Sequence, residues 1–416
     1  MQKKDCLKIK NCRLCNSNKI RSVLNLGNTP LANSYKKKKI SLKLKKYPLG
    51  LNLCKECGHL QLTHSIKPQK MFSNYLYKTN TSQKNFMHFK NYANEIKKKY
   101  KNKKKILDIA SNDGTFLSFF DKKKFFRLGV DPAKNLKKIS KSKGIDQIDI
   151  FFTKKNSYKL KKKYGTFDLV TANHVCAHVE NLKDFFQGVK NLLKPNGIFI
   201  FEVSYRGSVL KKNTFDTIYH EHLDYHALMP LAKFLIKNNL YLSDYKITKA
   251  QGGSLRIYAS KEPISINKDK ILKQKTKEIK IYKLFNITTY KKFEKKINIC
   301  KVKLQKILGE FHKKELSVAG YGAAAKTTTF LYYFNLAHNN QIKYIFDDNY
   351  LKQGLNIPGT TKQILNPKSL KSIEFDILVI FAWNYSDVII ENLKKKKFLR
   401  NKNIRFLVPF PNPKII

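Results

Sequence analysis

The sequence predicts an α/β protein: a small N-terminal zinc-binding domain followed by two Rossmann-like, doubly wound parts. Three observations predict it. Two CxxC pairs stand near the N-terminus. Strand-length apolar runs alternate with helical patterns from residue 105, and the same rhythm restarts near residue 315. The 416 residues suffice for two or three domains with a sizeable core. Hydrophobic residues make up 42% and aromatics 12%, which excludes a disordered chain.

The first pair is Cys12 and Cys15, the second Cys54 and Cys57, with 38 residues between the pairs. Two such knuckles supply four thiolates, the donor set of tetrahedral Zn²⁺. Because four thiolates close the coordination sphere, the zinc is expected to be structural, folding a domain with little core of its own. The long gap requires a substantial loop between the knuckles. Cys176 and Cys300 read as buried hydrophobes, Cys300 on a helical stripe with Phe293, Ile297, Leu304, Ile307 and Phe311.

In the first alternation, KILDIA is a strand, SNDGTFLSFF a turn into a helix, and FRLGVD the next strand. FDLVTANHV is a further strand, followed by a helix through LKDFFQGVKNLL and a strand in GIFIFEV. The ligand of such a sheet lies beyond the carboxyl ends of its strands. There stand Ser111, Asn112, Asp113 and Gly114 after the first strand, Asp131 after the second, and Asn173 and His174 after a later one. Asp131 is placed to accept hydrogen bonds from a ribose diol. The turn has one glycine rather than G-x-G-x-x-G, and it carries Asp113. An anionic turn repels a diphosphate but suits a sulfonium cation, so S-adenosylmethionine is the expected cofactor here rather than NAD.

After residue 262 comes a Lys-rich stretch of two helices and a connector, then ELSVAGYGAAAKTTTFLYYF as strand, turn and helix. Gly320, Gly322 and Ala325 fit G-x-G-x-x-A, with Asp347 and Asp348 about 25 residues later. Any tight strand-to-helix turn wants those small residues, so the pattern leaves two ligands open. One is NAD. The other is the diphosphate of a nucleotide sugar, held by helix N-terminal amides and Lys326.

Charge and histidine distribution bear on function. Lys and Arg total 84 against 29 acidic residues, a formal net charge of +55. The excess is diffuse lysine, in runs such as 36–39, 97–105 and 394–397, with little arginine. That pattern fits solvated surface rather than a nucleic-acid reader, which would interleave basic and aromatic residues on one face. No nucleic-acid partner is expected. No apolar run approaches the roughly 18 residues of a membrane span, and no secretory h-region is visible, so a cytoplasmic protein without membrane association is expected. Five of the ten His fall between residues 174 and 226, three of them in IYHEHLDYHAL. Such clustering suggests a reaction centre; a polar turn and a two-histidine metal site are the alternatives.

The ordered set CRLC, LGNTPLANSY, CKECGHLQL, FSNYLY, ASNDGTFL, YHEHLDYH, GGSLR, GYGAAAKT, DDNYLKQGLNIPGT and FAWNY resembles the zinc-containing, S-adenosylmethionine-dependent sugar C-methyltransferases acting on nucleotide-linked keto-deoxysugars. The resemblance covers nearly the whole chain. It implies a zinc-binding domain over 1–70, a class I (Rossmann-like) methyltransferase domain over 71–262 and a C-terminal Rossmann-like α/β domain over 263–416. It also implies a nucleotide-sugar substrate, dTDP-linked by expectation, and a monomer or weak homo-oligomer. By resemblance the catalytic base falls on His222, with Tyr219, Glu221 and His178 as its companions. Tyr75 or Tyr77 is expected to reach the substrate, as are Gly322 and Lys326. The sequence departs from the family at Asp108, where Glu is common, and at Gln251, where His is common. Methylating carbon requires a carbanion equivalent, which a base can generate next to a ketone while donors stabilise the enolate oxygen. An ordinary imidazole, with a pKa of about 6.5, suits that base. Glu221, as the sequence neighbour of His222, points elsewhere and is assigned to the sugar or to a supporting hydrogen bond.

Overall fold

The computed structural model describes residues 5–72, 83–396 and 404–416. The chain divides into two compact units. The first comprises Met1–Arg21, Asn52–Lys211 and Glu221–Asn286; the second comprises Ser22–Leu51, Lys212–His220 and Ile287–Ile416.

The first unit is built on seven strands: β1 Lys105–Ile109, β2 Phe126–Val130, β3 Asp146–Ile148, β4 Phe167–Asn173, β5 Leu193–Ser204, β6 Tyr241–Thr248 and β7 Ser254–Ser260. Their order is 3-2-1-4-5-7-6 in these labels. The first five are parallel, and β7 runs antiparallel to both β5 and β6. The order reverses between β1 and β4, which opens a crevice at their carboxyl ends. Central strands are buried and largely apolar because both faces are covered: Ile198 to Val203 of β5 are buried without interruption, Glu202 included. Two of the flanking helices begin on side-chain caps. Thr153 accepts a hydrogen bond from the Asn156 amide, and Asn181 from the Asp184 amide. After β1 the helix is only Thr115–Ser118, a single turn.

Short strands complete this unit around the cysteines. Cys6–Lys8 pairs antiparallel with His64–Ile66, and Leu60–Leu62 pairs antiparallel with Asp224–Tyr225. Helix Lys268–Thr276 also belongs here, beyond the expected boundary at 262. Gln274 donates to the Tyr205 hydroxyl at 2.7 Å, and the buried Glu278 carboxylate accepts the Leu228 and Met229 amides at 2.8 and 3.1 Å. A carboxylate on the first amides of helix Leu228–Lys237 satisfies donors the helix cannot satisfy itself.

The main sheet of the second unit has six strands: β8 Val318–Tyr321, β9 Ile342–Phe346, β10 Gln363–Leu365, β11 Ile377–Ile380, β12 Arg405–Val408 and β13 Lys414–Ile415. Their order is 10-9-8-11-12-13, parallel except for β13. Helix Ile287–Lys313 buries Phe293, Ile297, Cys300, Leu304, Leu308 and Phe311; Leu308 takes the place expected for Ile307, which is half-buried. Much of the insert between the cysteine pairs packs in this unit. Tyr35 donates to the Ala323 carbonyl at 2.8 Å, and the Ala32 carbonyl accepts from Thr328 at 3.1 Å. The 212–220 segment does likewise, with Phe215 stacked on Phe334. Among the described residues no helix is long and apolar enough to cross a membrane.

Candidate active site

The four knuckle cysteines converge. Their sulfur atoms lie within 4.8 Å of one another, with Cys12 to Cys57 at 3.5 Å and Cys15 to Cys54 at 3.6 Å. Contact with Cys57 and burial push the Cys12 thiol far up, and burial pushes Cys15 up to about 11. Four sulfurs so crowded become thiolates only around a cation, and the donor set fits Zn²⁺. Two arginines belong to the surroundings of the quartet, the half-buried Arg13 and the buried Arg206. Arg13 sits between Cys12 and Cys15. Arg206 donates to the Gly58 carbonyl at 2.6 Å, and its Nε and Nη2 carry no hydrogen bond among the described residues.

At the carboxyl ends of β1, β2 and β4 the backbone is unusual. Ala110, Asn112 and His174 have φ of 59°, 53° and 56°, left-handed values that non-glycine residues seldom adopt, and Gly114 has 72°. The Asp131 carboxylate accepts the Asn112 amide at 2.9 Å and the Ala133 amide at 2.8 Å. Asp108, on β1, accepts from Thr171 at 2.6 Å and from Asn173 at 3.3 Å. Burial, with the Asp131 charge adding to it, pushes Asp108 up to about 7, and burial raises Asp131 as well. Buried carboxylates gathered at strand ends invite a cation. Ser111 Oγ and Asn173 Oδ1 are buried and make no hydrogen bond among the described residues. Orphaned polar atoms beside paired carboxylates fit the sulfonium and amino acid portions of S-adenosylmethionine. Asp113 is used differently from expectation. Its carboxylate receives the Thr115 hydroxyl at 2.7 Å and lies 3.1 Å from the Lys143 ammonium, so its charge is already offset. Asp131, which accepts two backbone amides at the end of β2, is the acidic group left facing this crevice without an ammonium partner among the described residues. For Asp131→Asn, which removes a charged acceptor from this wall, cofactor affinity measured by calorimetry is expected to fall about ten- to a hundredfold.

A buried array beside this crevice escaped the sequence reading. Glu202 of β5 is in register with Asn173 of β4. One carboxylate oxygen lies 2.9 Å from His88 Nε2 and 3.3 Å from His174 Nε2; the other accepts Arg256 Nε and Nη2 at 2.9 and 2.8 Å. Burial opposes charge on Glu202, but His174, His88 and Arg256 outweigh it and hold the carboxyl well below its usual range. The Arg256 guanidinium in turn lies 3.3 Å from the centre of the Tyr92 ring. His174 is thereby fixed at the strand end, one residue past Asn173.

The clustered histidines divide into two kinds. His178 and His222 are half-buried, their ring centres 4.9 Å apart. His178 Nδ1 donates to the Glu221 carbonyl at 2.6 Å, which leaves Nε2 as the proton-accepting nitrogen. Burial pushes its imidazole down to about 4, against the pull of that carbonyl, so it is neutral near pH 7. Glu221 is buried and belongs to the same unit as His222; Tyr219 and His220 end the 212–220 segment of the second unit. His220 lies 3.3 Å from the Pro48 carbonyl and edge-on to Tyr47, a structural use. His226 is buried with both ring nitrogens lacking a hydrogen bond among the described residues.

His226 gives a pH prediction. Burial pushes it down to about 3. The unfolded chain takes up a proton there near pH 6.5 and the folded one does not. Its contribution is intact above about pH 6.5 and erodes by about 1.4 kcal/mol per pH unit as pH falls toward 3. The Tm is expected to drop between pH 6.5 and 4, with a shallower slope in His226→Leu, both read by scanning calorimetry.

In the second unit, Gly322 has φ of 97°, and a Cβ there would meet the Ala382 Cβ at 2.9 Å, so only glycine fits the turn after β8. Asp347 Oδ2 accepts the Ala323 amide of that turn at 2.6 Å. Lys326 lies 3.8 Å from the buried Asp216 and 5.0 Å over the Trp383 ring, whose Nε1 donates to Asp216 at 2.6 Å; it also bonds Asn384. Tyr75 and Tyr77 lie outside the described residues.

Sheet order and acidic strand ends together define the class, an S-adenosylmethionine-dependent methyltransferase. Three family profiles match almost end to end: "Putative zinc binding domain" over residues 12–72, "Methyltransferase domain" over 84–243 and "C-methyltransferase C-terminal domain" over 249–411. The chain belongs to the zinc-containing, S-adenosylmethionine-dependent C-methyltransferases. C-methyltransferase NovU of Streptomyces niveus is 28% identical over 98% of this chain and 97% of its own. Among solved structures, an S-adenosylmethionine-dependent methyltransferase from Clostridium acetobutylicum is 16% identical, with 42% of this chain and 91% of that one covered and a TM-score of 0.35. Magnesium protoporphyrin IX methyltransferase from Synechocystis with bound SAH is 13% identical, with 42% and 83% covered and a TM-score of 0.34.

Proposed function

We propose that this C-methyltransferase acts on a keto-deoxysugar linked to a nucleotide, dTDP by preference, in the cytoplasm. The observation that carries the reading is the His178–His222 pair: two imidazoles 4.9 Å apart, one fixed in a single tautomer by a backbone carbonyl. Carbon is a poor nucleophile until a proton leaves it, and a ketone makes the adjacent proton removable. His222 takes that proton. The electron pair moves into a carbon–carbon double bond and charge collects on the former ketone oxygen, where Tyr219 donates a hydrogen bond. His178 keeps an uncharged acceptor beside His222 at working pH. Glu221 supports the sugar.

Ser111, Asn112, Gly114, Asp131, Asn173 and His174 would hold S-adenosylmethionine, with Asp113 shaping the turn. When bound, that cofactor supplies an electrophilic methyl group on a cationic sulfur. Gly322 and Lys326 hold the nucleotide diphosphate. Lys326 has its charge lowered in stability by burial and raised again by Asp216, so an added phosphate is a welcome counter-ion. Incubation with methyl-labelled S-adenosylmethionine and a panel of dTDP-linked keto-deoxysugars, followed by mass spectrometry, tests the assignment. One labelled methyl on carbon of one sugar is expected; label only on oxygen or nitrogen, or none with any keto sugar, contradicts it.

A further inference from the structure

The metal knot has a second connection that its structural role does not require. Arg13 lies inside the first knuckle, between Cys12 and Cys15, and His59 lies two residues past Cys57. Both reach one buried carboxylate, Asp224, two residues past His222. Arg13 Nε donates to Oδ1 at 2.9 Å and to Oδ2 at 3.1 Å, and His59 Nε2 donates to Oδ1 at 2.8 Å. We propose that Asp224 and Arg13 are positioning residues through which the cysteine knuckles set the placement of His222 and His178. This rests on the reading of His222 as base.

The geometry that carries it is a fork. The same Arg13 guanidinium donates through Nη1 to the Glu180 carbonyl at 2.9 Å and through Nη2 to the Val179 carbonyl. One planar cation therefore grips both segments that bear the two imidazoles: 179–180 just after His178, and 224 just after His222. Secondary contacts keep the three in register. The Leu62 amide, on the strand leaving the second knuckle, donates to the Leu223 carbonyl at 2.9 Å, and the Leu223 amide donates to the Ala177 carbonyl at 2.7 Å.

Burial opposes charge on Asp224, yet Arg13 and His59 outweigh it and hold the carboxyl well below its usual range. A buried ion pair is an uncertain source of stability, because desolvation offsets its attraction, and hydrophobic replacements often serve as well. What it fixes is geometry, and arginine fixes more of it than lysine. A guanidinium offers five donors in one plane; an ammonium is a compact point charge without that fork. The segments that bear the imidazole pair are thus tied to the chain turns that carry the cysteine quartet.

The test uses full-length, zinc-loaded protein in three forms: wild type, Arg13→Lys and Asp224→Asn. Histidine-ring signals are read by NMR with ¹⁵N-histidine, those of His178 and His222 being identified by their loss in His178→Gln and His222→Asn. Metal content and cofactor affinity are measured on the same samples. In Arg13→Lys we expect one zinc per chain, cofactor affinity within about twofold, and shifted or broadened signals for His178 and His222. With the sugar substrate, kcat is expected to fall about 10- to 100-fold, the range for residues that orient a reacting group through another, with little change in KM. Asp224→Asn leaves the knuckle sequence intact and is read in the same way if the lysine variant loses zinc. Ring signals that coincide with wild type in a zinc-replete variant overturn the proposal. So does an unchanged kcat. The base assignment fails separately: if His222→Asn still methylates carbon, that role is lost whatever the ring signals of Arg13→Lys show.

Discussion

His222→Asn is expected to lose about 10²- to 10⁴-fold in kcat/KM for methyl transfer to carbon, about 3–5 kcal/mol of barrier. Cofactor affinity is expected to stay within about twofold, because the residues assigned to S-adenosylmethionine lie on other elements, at the carboxyl ends of β1, β2 and β4. Asparagine is close to the imidazole in size and polarity but cannot accept a proton at neutral pH, so the loss reports chemistry rather than packing. His178 is a poor substitute. Its Nδ1 is committed to the Glu221 carbonyl, and burial holds its basicity down, to about 4. Steady-state kinetics and isothermal calorimetry on the same preparation separate the two effects. A variant that keeps kcat/KM within about threefold of wild type would remove His222 from the mechanism.

Cys54→Ser carries the largest expected effect on folding. The Cys54 sulfur is buried 3.6 Å from that of Cys15, within the quartet. A serine hydroxyl stays protonated near neutral pH and does not replace a thiolate, so the tetrahedral site loses a ligand. Structural zinc supplies about 10–16 kcal/mol in small zinc domains. Losing even about 4 kcal/mol of it lowers the Tm of a unit this size by about 8–16 °C, and failure to accumulate folded protein is the extreme outcome. Metal analysis should show less than one zinc per chain. Cys176→Ala is the control: it removes a buried sulfur with no metal role and is expected to cost about 1–2 kcal/mol with zinc retained. Equal losses in the two variants would contradict a metal-bound quartet.

Much of the architecture was legible because its signals are local. The CxxC spacing announces the quartet, and apolar runs bounded by turns mark β1, β2, β4 and β5 and the start of the second sheet. The lysine runs read as solvated surface, and Lys36 to Lys39 are indeed exposed. Signals that depend on distant partners were not legible. The hairpin of β6 and β7 contains Asp244, Lys246 and Arg256, charges that interrupt an apolar pattern. Arg256 is nonetheless fully buried, because Glu202 and Glu95 come to it from other elements. Glu202 was hidden in the same way, as one acid inside the apolar run GIFIFEV. The destination of residues 22–51 involves long-range contacts such as the hydrogen bond of Tyr35 to Ala323, which no periodicity encodes. Asp113 was legible as a residue of the turn but not in its use, since Lys143, which offsets it, lies on the far side of β2.

The most direct measurement is hydrogen exchange on a dTDP-linked keto-deoxysugar in D₂O with S-adenosylhomocysteine in place of the methyl donor, followed by mass spectrometry. Wild-type enzyme is predicted to install one deuterium on the carbon beside the ketone, and His222→Asn to install none above the uncatalysed rate. Exchange by His222→Asn at the wild-type rate, or no exchange by the wild-type enzyme on a sugar that it methylates, would contradict proton removal by that imidazole.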